Sequence, residues 1–407
     1  MIACGPDGSI TNDGAIVISD TGNILAMGTA ETIMNKFIRH RIHRLRNAVL
    51  LPGFVNLHTH LELPSLLDMV HARSFPDWII NLIRAKKDLR KQNYLRAAKE
   101  NINTLIRSGT TTVGEICTHG ESPALLKQSR LRSVVYHEII KMGSGVKDQG
   151  SRIHLPMLTD SALVKSGFSP HTPYTVAQEI LCEISRLSKK KGIRIAMHIA
   201  ESKEEIRLLQ GKNSGLERLY RLAGWDLSWA PRGHSSIEYL KRIGFLSPRL
   251  LAVHAVQATN EDIDLIRKSK VSVAHCPRSN RETGVGVMPL KKFLDAGINV
   301  GLGTDSLASS PSLNMWDEMR YAYQIHRRSG VSAEDIFKLA TIGGAKALGL
   351  NKLIGTLEPG KRADIIAVSL PSKNAGDLYS DLLRETKSCI MTMVDGKILF
   401  QGSRKVT

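Results

Sequence analysis

The feature that most constrains the fold is an alternation between short β-rich runs and longer amphipathic stretches, from about residue 51 to residue 350. A hydrophobic period near two indicates strands and one near 3.6 indicates helices, so this alternation is typical of βα units with a parallel sheet. The β-rich runs are LLPGFVNLHTH, TTTVGEIC, RSVVYHEII, LVKSGFSPHT, IRIAMHIAE, LLAVHAVQA, VSVAHCPRSN and NVGLGTDS. Eight such units predict an α/β fold that closes into a (β/α)8 TIM-type barrel, and not an open doubly wound sheet.

Both ends of the chain lack this alternation and read as strands joined by tight turns. GAIVISDTGNILAMG predicts a hairpin around Thr21-Gly22-Asn23, GTLEPGKRADIIAVS is interpreted in the same way, and CIMTMVDGKILFQG turns at Asp395-Gly396. Because the two ends look alike, we expect one small β-sandwich module formed from residues 1–50 and 356–407. The barrel, at 51–355, would be inserted into it.

Composition narrows the class of protein. Hydrophobic residues make up 42% and charged residues 23% of the 407 residues, which suits a globular chain with a large core. No apolar run reaches the ~20 residues of a membrane span and the start lacks a signal-peptide pattern, so we expect no membrane partner and a cytoplasmic location. We expect reduced thiols, since no CxxC pair occurs among Cys4, Cys117, Cys182, Cys276 and Cys389.

The net charge of +18 raises the question of a nucleic-acid partner. The basic residues form short clusters inside amphipathic stretches, without interleaved aromatic residues. We therefore expect a solvated helix surface and no nucleic-acid partner; attraction of an anionic substrate is the weaker alternative.

Residues with metal-binding chemistry collect where the predicted strands end. His58 and His60 are two positions apart and so share one face of the first strand, although such a pair alone can be two polar residues at a strand end. His198, His254 and Asp305 lie at or near the ends of the fifth, sixth and eighth strands. Barrel enzymes keep their active sites at these ends, so the sequence predicts a metal site there.

Glu201 lies three residues after His198, just beyond the strand. From there its carboxylate can reach over a metal without binding it, which suits a proton shuttle. The alternative is an acid in the first turn of the helix SKEEIRLLQ, where the helix dipole favours it.

The motifs PGFVNLHTHLE, HIAE, LAVHAVQ, CPRSN, GTDS and EPGKRADI together resemble the amidohydrolase superfamily, in its branch of purine-type and triazine deaminases and chlorohydrolases. The likeness covers almost the whole chain. It implies that Glu201 is the acid/base and that His254 hydrogen-bonds the hydrolytic water or the substrate. It also implies one divalent metal ion, held by His58, His60, His198 and Asp305. Asp305 would then be both a metal ligand and a catalytic residue.

The number and kind of metal ion follow from the same resemblance. Binuclear members of the superfamily use a carboxylated lysine at the end of the fourth strand, whereas here that end reads SPHTPYT and Lys165 lies too early. A single ion is therefore favoured. Zinc suits nitrogen and oxygen ligands with an open water position, and iron or manganese would also fit.

Several residues are candidates for contact with the substrate. His171 in SPHTPYT resembles a substrate-contacting position and is otherwise a loop histidine. Three serines either touch the substrate or cap the next helix: Ser306, Ser309 and Ser310.

The run HTHLELPSLLD, followed by FPDWIINLIRAKK around Trp78, is most similar to the aminodeoxyfutalosine deaminases of menaquinone biosynthesis. That similarity implies an adenine nucleoside with a carboxyphenyl group. Arg278 is the candidate partner for the carboxylate, with Arg84 as runner-up, unless Arg278 anchors its own loop.

The expected function is hydrolytic deamination of a purine-type nucleoside, and the expected partners are this small-molecule substrate and a second copy of the chain in a homodimer. Methylthioadenosine or adenosylhomocysteine deaminase and triazine-type chlorohydrolase stay open as alternatives. A catalytically inactive barrel with a binding role would be expected to have lost a metal ligand or Glu201, and neither is lost.

Overall fold

The computed structural model describes residues 1–2, 9–38, 41–141, 159–226, 233–369 and 377–402. Its strands are β1 (Gly14–Ile18), β2 (Ile24–Thr29), β3 (Ala48–Pro52), β4 (Phe54–Thr59), β5 (Thr110–Cys117), β6 (Arg132–Ile139), β7 (Val164–Pro170), β8 (Ile195–Ile199), β9 (Leu250–His254), β10 (Ser272–His275), β11 (Val300–Leu302), β12 (Ile365–Ser369), β13 (Met391–Val394) and β14 (Lys397–Gln401).

The helices surround one sheet and follow most of its strands. They are α1 (Ala30–Lys36), α2 (Leu67–Val70), α3 (Phe75–Lys86), α4 (Lys91–Ser108), α5 (Ser122–Ser129), α6 (Gln178–Lys191), α7 (Lys203–Leu209), α8 (Glu217–Ala223), α9 (Ser236–Arg242), α10 (Asn260–Lys268), α11 (Pro277–Glu282), α12 (Leu290–Asp295), α13 (Met315–His326), α14 (Ala333–Lys338), α15 (Gly344–Ala347) and α16 (Leu378–Glu385). A 3-10 turn, Arg327–Ser329, and a π-helical segment, Leu339–Gly343, complete the set. Among the described residues, no helix is both long enough and apolar enough to cross a bilayer.

The barrel predicted from the eight β-rich runs is confirmed. Strands β4 to β11 form one parallel sheet in sequential order, and a bridge between Thr59 and Asp305 joins its first and last strands. Side chains from six of the strands fill the interior, and residues of α15 close one end of it. The interior is therefore a packed core, and the strand ends are left to carry polar residues.

The first predicted strand is wrong in one respect: LLPGFVNLHTH is two strands. Its first part is β3, which pairs antiparallel with β12, and its second part is the barrel strand β4. The break falls at Gly53, where a β-carbon would lie 2.1 Å from the Thr111 side chain. Any residue with a β-carbon at this position would collide with the Thr111 side chain, so the break requires a glycine.

Antiparallel sheets outside the barrel are built from both ends of the chain, as predicted. The β1–β2 hairpin turns at Gly22, the β13–β14 hairpin turns at Asp395-Gly396, and an apolar cluster lies between their sheets. The hairpin predicted for GTLEPGKRADIIAVS is wrong, because only its second half forms a strand, β12, which pairs with β3 and β13 instead. The limits of the two units stay a prediction.

A buried ion pair connects this module to the barrel. Arg132 begins β6, and its guanidinium donates to both oxygens of Asp364, over 2.8 and 2.9 Å. Asp364 also accepts the backbone N–H of Asp395, at 2.8 Å, in the turn of the last hairpin. A bidentate pair of this kind fixes orientation as well as distance.

The described cysteines form no disulfide. Cys117, Cys276 and Cys389 are buried and Cys182 is exposed, while Cys4 lies outside the described residues.

Candidate active site

Four histidines and one aspartate converge at the carboxyl ends of the barrel strands. Potential ligand atoms of His58, His60 and His198 lie within 4.8 Å of one another, and so do those of His58, His254 and Asp305. All five residues were predicted to meet here, and we call them the His/Asp cluster. The cluster is capable of holding a metal ion.

Simple alternation along β4 does not explain how His58 enters this cluster. Val55 and Leu57 already pack in the barrel interior, so strict alternation would turn His58 away from it. The pairing of β4 with β5 shifts register between Asn56 and Thr59. The His58 ring then lies with its centroid 5.0 Å from those of both His60 and His198.

Left-handed backbone conformations occur at or beside the other residues of the site. Ala200, His254 and Asp305 have φ angles of 51°, 73° and 59°, which residues with a β-carbon rarely adopt. On β9, Leu251 and Val253 face the interior, so the positive φ of His254 brings into the site a side chain that alternation would direct outward. Strain of this kind gathers at functional sites.

Two serine hydroxyls hold the carboxylate of Asp305. Ser279 and Ser309 both donate to its Oδ2 atom, over 2.6 and 2.8 Å, and both are fully buried. The other oxygen, Oδ1, lies 3.5 Å from Nε2 of His58 and 3.5 Å from Nε2 of His60. The serines therefore present one defined oxygen to the histidines.

The histidine rings of the cluster have the orientation and the neutral form that a metal ion requires. Nδ1 of His198 lies 2.9 Å from the His171 carbonyl oxygen, which fixes a proton there and leaves Nε2 for a ligand. Neither ring nitrogen of the buried His58 has a hydrogen-bond partner among the described residues. Burial lowers the pKa of His58 to about 4 and that of His60 to about 3, so both rings are neutral at pH 7, the form that binds metals.

Glu201 is buried beside the cluster, with Oε1 at 3.5 Å from Nε2 of His254. Burial raises the pKa of Glu201 well above its usual range, and the carboxylates of Asp305 and Glu205 raise it further. Nδ1 of His254 lies 2.9 Å from Oδ1 of Asn280, which fixes the orientation of the ring. Helix α7 begins only after Ser202, so Glu201 precedes the first helical turn and does not act as a helix-dipole acid.

Glu205 is a site residue that sequence reasoning missed. Its two carboxylate oxygens accept the backbone N–H groups of Ala200 and Glu201, each at 2.8 Å. Glu205 therefore fixes the turn that carries Glu201. The available signal was a second acid four positions after Glu201, but acids are common in first helical turns.

Glu62 and Glu115 were also missed. Glu62 accepts four backbone N–H groups of the loop after β5, and Glu115 accepts the N–H of Leu61 and the hydroxyl of Thr59. Together they fix the chain on both sides of His60. Glu62 stands two positions after His60 in HTHLE, which was the only sign of its role.

The residues predicted to contact the substrate lie either beside the His/Asp cluster or at the loop after Asp305. The His171 ring centroid lies 5.1 Å from that of His198, so His171 borders the cluster. Trp78, on α3, donates to the Ala308 carbonyl at 3.3 Å and so contacts the loop after Asp305. Within the part of the chain that the structure describes, the Ser306 and Ser310 hydroxyls contact only this loop, through Ala308, Ser309 and Ser312.

The predicted basic residues lie apart from the His/Asp cluster or have other partners. The Arg278 guanidinium donates to Ser312 and lies 3.8 Å from Asp317, which matches the alternative of a loop anchor. Arg84 is exposed on α3, in a groove with Asp88. Lys165 is the second residue of β7 and pairs with Asp160 at 3.3 Å, far from the strand end.

A parallel eight-stranded barrel with a His/Asp cluster at its strand ends defines the class of metal-dependent barrel enzymes. Residues 49–399 match the amidohydrolase family, and the chain belongs to this family.

Two deaminases are similar to most of the chain. The chain is 32% identical to a 5-methylthioadenosine/S-adenosylhomocysteine deaminase of Thermococcus onnurineus over 372 residues, 87% of this chain and 83% of that protein. It is 30% identical to a 5'-deoxyadenosine deaminase of Methanothermobacter thermautotrophicus over 367 residues, 86% of this chain and 78% of that protein.

Solved structures share the fold. Aminofutalosine deaminase of Helicobacter pylori, in complex with methylthio-coformycin, superposes with a TM-score of 0.86 at 24% identity, covering 98% of both chains. Atrazine chlorohydrolase of Arthrobacter aurescens, complexed with zinc, gives a TM-score of 0.80 at 20% identity, covering 100% of this chain and 94% of that chain.

The serine pair gives a testable prediction about metal affinity. We expect the double variant Ser279→Ala/Ser309→Ala to weaken divalent-ion binding by about 10- to 100-fold, because residues that orient a ligand have effects of this size. Competition with a chelator measures it. Ser310→Ala is the matched control, since its hydroxyl donates to the Ser312 carbonyl at 3.1 Å and not to Asp305. Unchanged affinity in the double variant would show that Asp305 needs no such support.

Proposed function

We propose that this chain is a metal-dependent hydrolase that deaminates an adenine-type nucleoside and releases ammonia. The observation that carries the proposal is a buried carboxylate, Glu201, 3.5 Å from His254 and beside a His/Asp cluster able to hold a cation. The names of the relatives at 30 and 32% identity, both deaminases of adenine nucleosides, support the same reaction.

We propose one divalent ion, zinc, held by His58, His60, His198 and Asp305. The residues fit such an ion: His58 has no other partner, His198 keeps Nε2 available, and the serines leave Oδ1 of Asp305 available. Iron or manganese would suit the same donors. Lys165 is paired with Asp160 near the opposite end of its strand, which supports a single ion.

When bound, the ion acts as a Lewis acid that lowers the pKa of water to about 7. Glu201 accepts the proton of the attacking water and passes it to the ring nitrogen beside the reacting carbon. His254, held by Asn280, orients the water through Nε2. As the new C–O bond forms, the ring C=N bond becomes a single bond. The remaining proton of the former water then passes to the amine, the bond between the carbon and the amine breaks, and ammonia leaves as the C=O bond of the product forms. The raised pKa of Glu201 suits a group that must hold a proton between these steps.

Three kinds of adenine nucleoside are candidate substrates. The aminodeoxyfutalosine proposal is supported by the likeness to the Helicobacter pylori fold, but Arg278, its expected carboxylate partner, is held by Ser312. Methylthioadenosine and 5'-deoxyadenosine are supported by the relatives. We also propose a cytoplasmic homodimer without a nucleic-acid partner, on the basis of composition and family resemblance.

The metal proposal predicts a stoichiometry. About one equivalent of zinc, iron or manganese should copurify with the protein, and His198→Ala should lose both the ion and the release of ammonia from adenine nucleosides. Elemental analysis and an ammonia assay measure the two. His234→Ala is the control, because His234 lies outside the cluster, beside Glu238. Two tightly held ions in an active preparation would refute the single-ion proposal.

A second variant separates binding from chemistry. Glu201→Gln should keep the ion and still bind the nucleoside, yet turn over about 10²- to 10⁴-fold more slowly, as expected for loss of an acid/base group. Glu183→Gln removes a carboxylate that pairs with Arg186 at the surface and should leave turnover unchanged. Near-normal turnover by Glu201→Gln would rule out the role given to this residue.

A further inference from the structure

Helix α13 carries an acidic residue on its buried face. The apolar residues of this face, Met315, Met319 and Ala322, are fully buried, and Glu318 lies on the same face with no exposed surface. Burying a carboxyl group costs free energy unless the group has polar partners. Glu318 is not part of the His/Asp cluster, so its place in the core needs a different explanation.

The polar partner of Glu318 is the first turn of α11, the short helix that follows β10. Oε1 of Glu318 accepts the backbone N–H of Arg278, the second residue of α11, over 2.9 Å. The first N–H groups of a helix have no partner inside that helix. This hydrogen bond therefore fixes the start of α11 from a neighbouring element.

The next two residues of α11 hold two residues of the active site. The Ser279 hydroxyl donates to Oδ2 of Asp305 over 2.6 Å, and Oδ1 of Asn280 lies 2.9 Å from Nδ1 of His254. Ser279 and Asn280 are both buried in the packed interior, which leaves them little room to adjust if the helix shifts. A displacement of α11 would therefore disturb both residues of the site together.

Helix α13 contacts the same part of the chain at a second point. Nε2 of His326, the last residue of α13, lies 3.0 Å from Nε2 of His275, the last residue of β10, and both rings are buried. Helix α13 thus holds the end of β10 as well as the start of α11. Of these two contacts, the one made by Glu318 is adjacent in sequence to Ser279.

We propose that Glu318 is a positioning residue of the active site. By holding the start of α11, it allows Ser279 to orient Asp305. Through the same contact it allows Asn280 to orient His254. Its effect on the ion rests on the proposed metal site, and its effect on turnover rests on the proposed deaminase function.

Two substitutions of Glu318 separate the hydrogen bond from the space that the side chain fills. Burial raises the pKa of Glu318 to about 8, and the carboxylates of Asp305 and Asp317 raise it as well. The side chain is therefore mostly neutral at pH 7, and Glu318→Gln keeps a neutral acceptor for the Arg278 N–H. Glu318→Met fills a similar volume without an acceptor.

Zinc affinity is the first readout, measured by competition with a chelator. We expect Glu318→Met to weaken zinc binding by about tenfold, at the low end for residues that orient a metal ligand, because Ser309 still holds Asp305. Glu318→Gln should restore the wild-type affinity. Asp262→Leu is the matched control: it removes another buried carboxylate, which caps α10, and should lower the melting temperature without changing zinc affinity.

A double-mutant cycle shows whether Glu318 acts through α11. Because Ser279 connects α11 to Asp305, adding Glu318→Met to the Ser279→Ala variant should weaken zinc binding no further. Fully additive effects would show that Glu318 affects the ion by another route and would overturn the proposal. If Glu318→Met does not fold, Glu318→Asp gives the same comparison, because a side chain one methylene shorter withdraws the acceptor from the Arg278 N–H.

Turnover is the second readout, with zinc at saturating concentration and the nucleoside that the wild-type enzyme deaminates fastest. We expect kcat of Glu318→Met to fall about 10- to 100-fold with a much smaller change in KM, because a misplaced orienting group can cost about 10²-fold. Glu318→Gln should again restore the wild-type values.

The outcomes distinguish this proposal from the proposed function. If Glu318→Met binds zinc and turns over like the wild type, or if Glu318→Gln is as impaired as Glu318→Met, the role of Glu318 is wrong and the deaminase proposal stands. If the zinc-loaded wild-type enzyme deaminates no adenine nucleoside, the proposed function fails, and the zinc-binding comparison still decides the role of Glu318. If the wild-type protein binds no divalent ion, both proposals fail.

Discussion

The site depends on the seam between the first and the last barrel strand, where hydrogen bonds join the segment around His58 to the segment around Asp305. The N–H of Asp305 donates to the carbonyl of His58 at 3.0 Å, which joins the first barrel strand to the last. Beside it, the Asn56 amide and Thr304 exchange two buried hydrogen bonds of 2.8 and 3.1 Å, between residues 248 positions apart in the chain. His58 of β4 and His60 directly after it lie on one side of this seam, and Asp305 lies on the other, so the His/Asp cluster exists only in the closed barrel.

Ala200, His254 and Asp305 combine left-handed backbone conformations with hydrogen bonds that hold the backbone or the side chain at the same position. Left-handed non-glycine residues cost on the order of 1–3 kcal/mol each. Glu205 binds the N–H of Ala200, Asn280 binds the ring of His254, and the serine pair binds the carboxylate of Asp305. The fold thus stabilises a geometry in which nearly all the reactive atoms are oriented before a substrate arrives, as electrostatic catalysis requires.

The sequence predicted the barrel and the cluster for a physical reason: strand periodicity and strand-end residues are local signals. Each of the eight β-rich runs contains one strand of the barrel, and the polar residues directly after apolar runs predicted the site. No local pattern predicted three features that depend on neighbouring strands. They are the break at Gly53, the register shift between Asn56 and Thr59, and the positive φ of His254. Arg278 shows the same limit, since its partners Ser312 and Asp317 come from a later loop.

The source of the oxygen in the product tests hydrolytic deamination most directly. The metal-loaded enzyme is incubated with an adenine nucleoside in ¹⁸O-enriched water. The product is analysed by mass spectrometry, and the ammonia released is quantified. The geometry of Glu201 and His254 beside the cluster predicts one solvent oxygen on the former amine-bearing carbon and one ammonia for each product. A product without the label, or formed without ammonia, would contradict it.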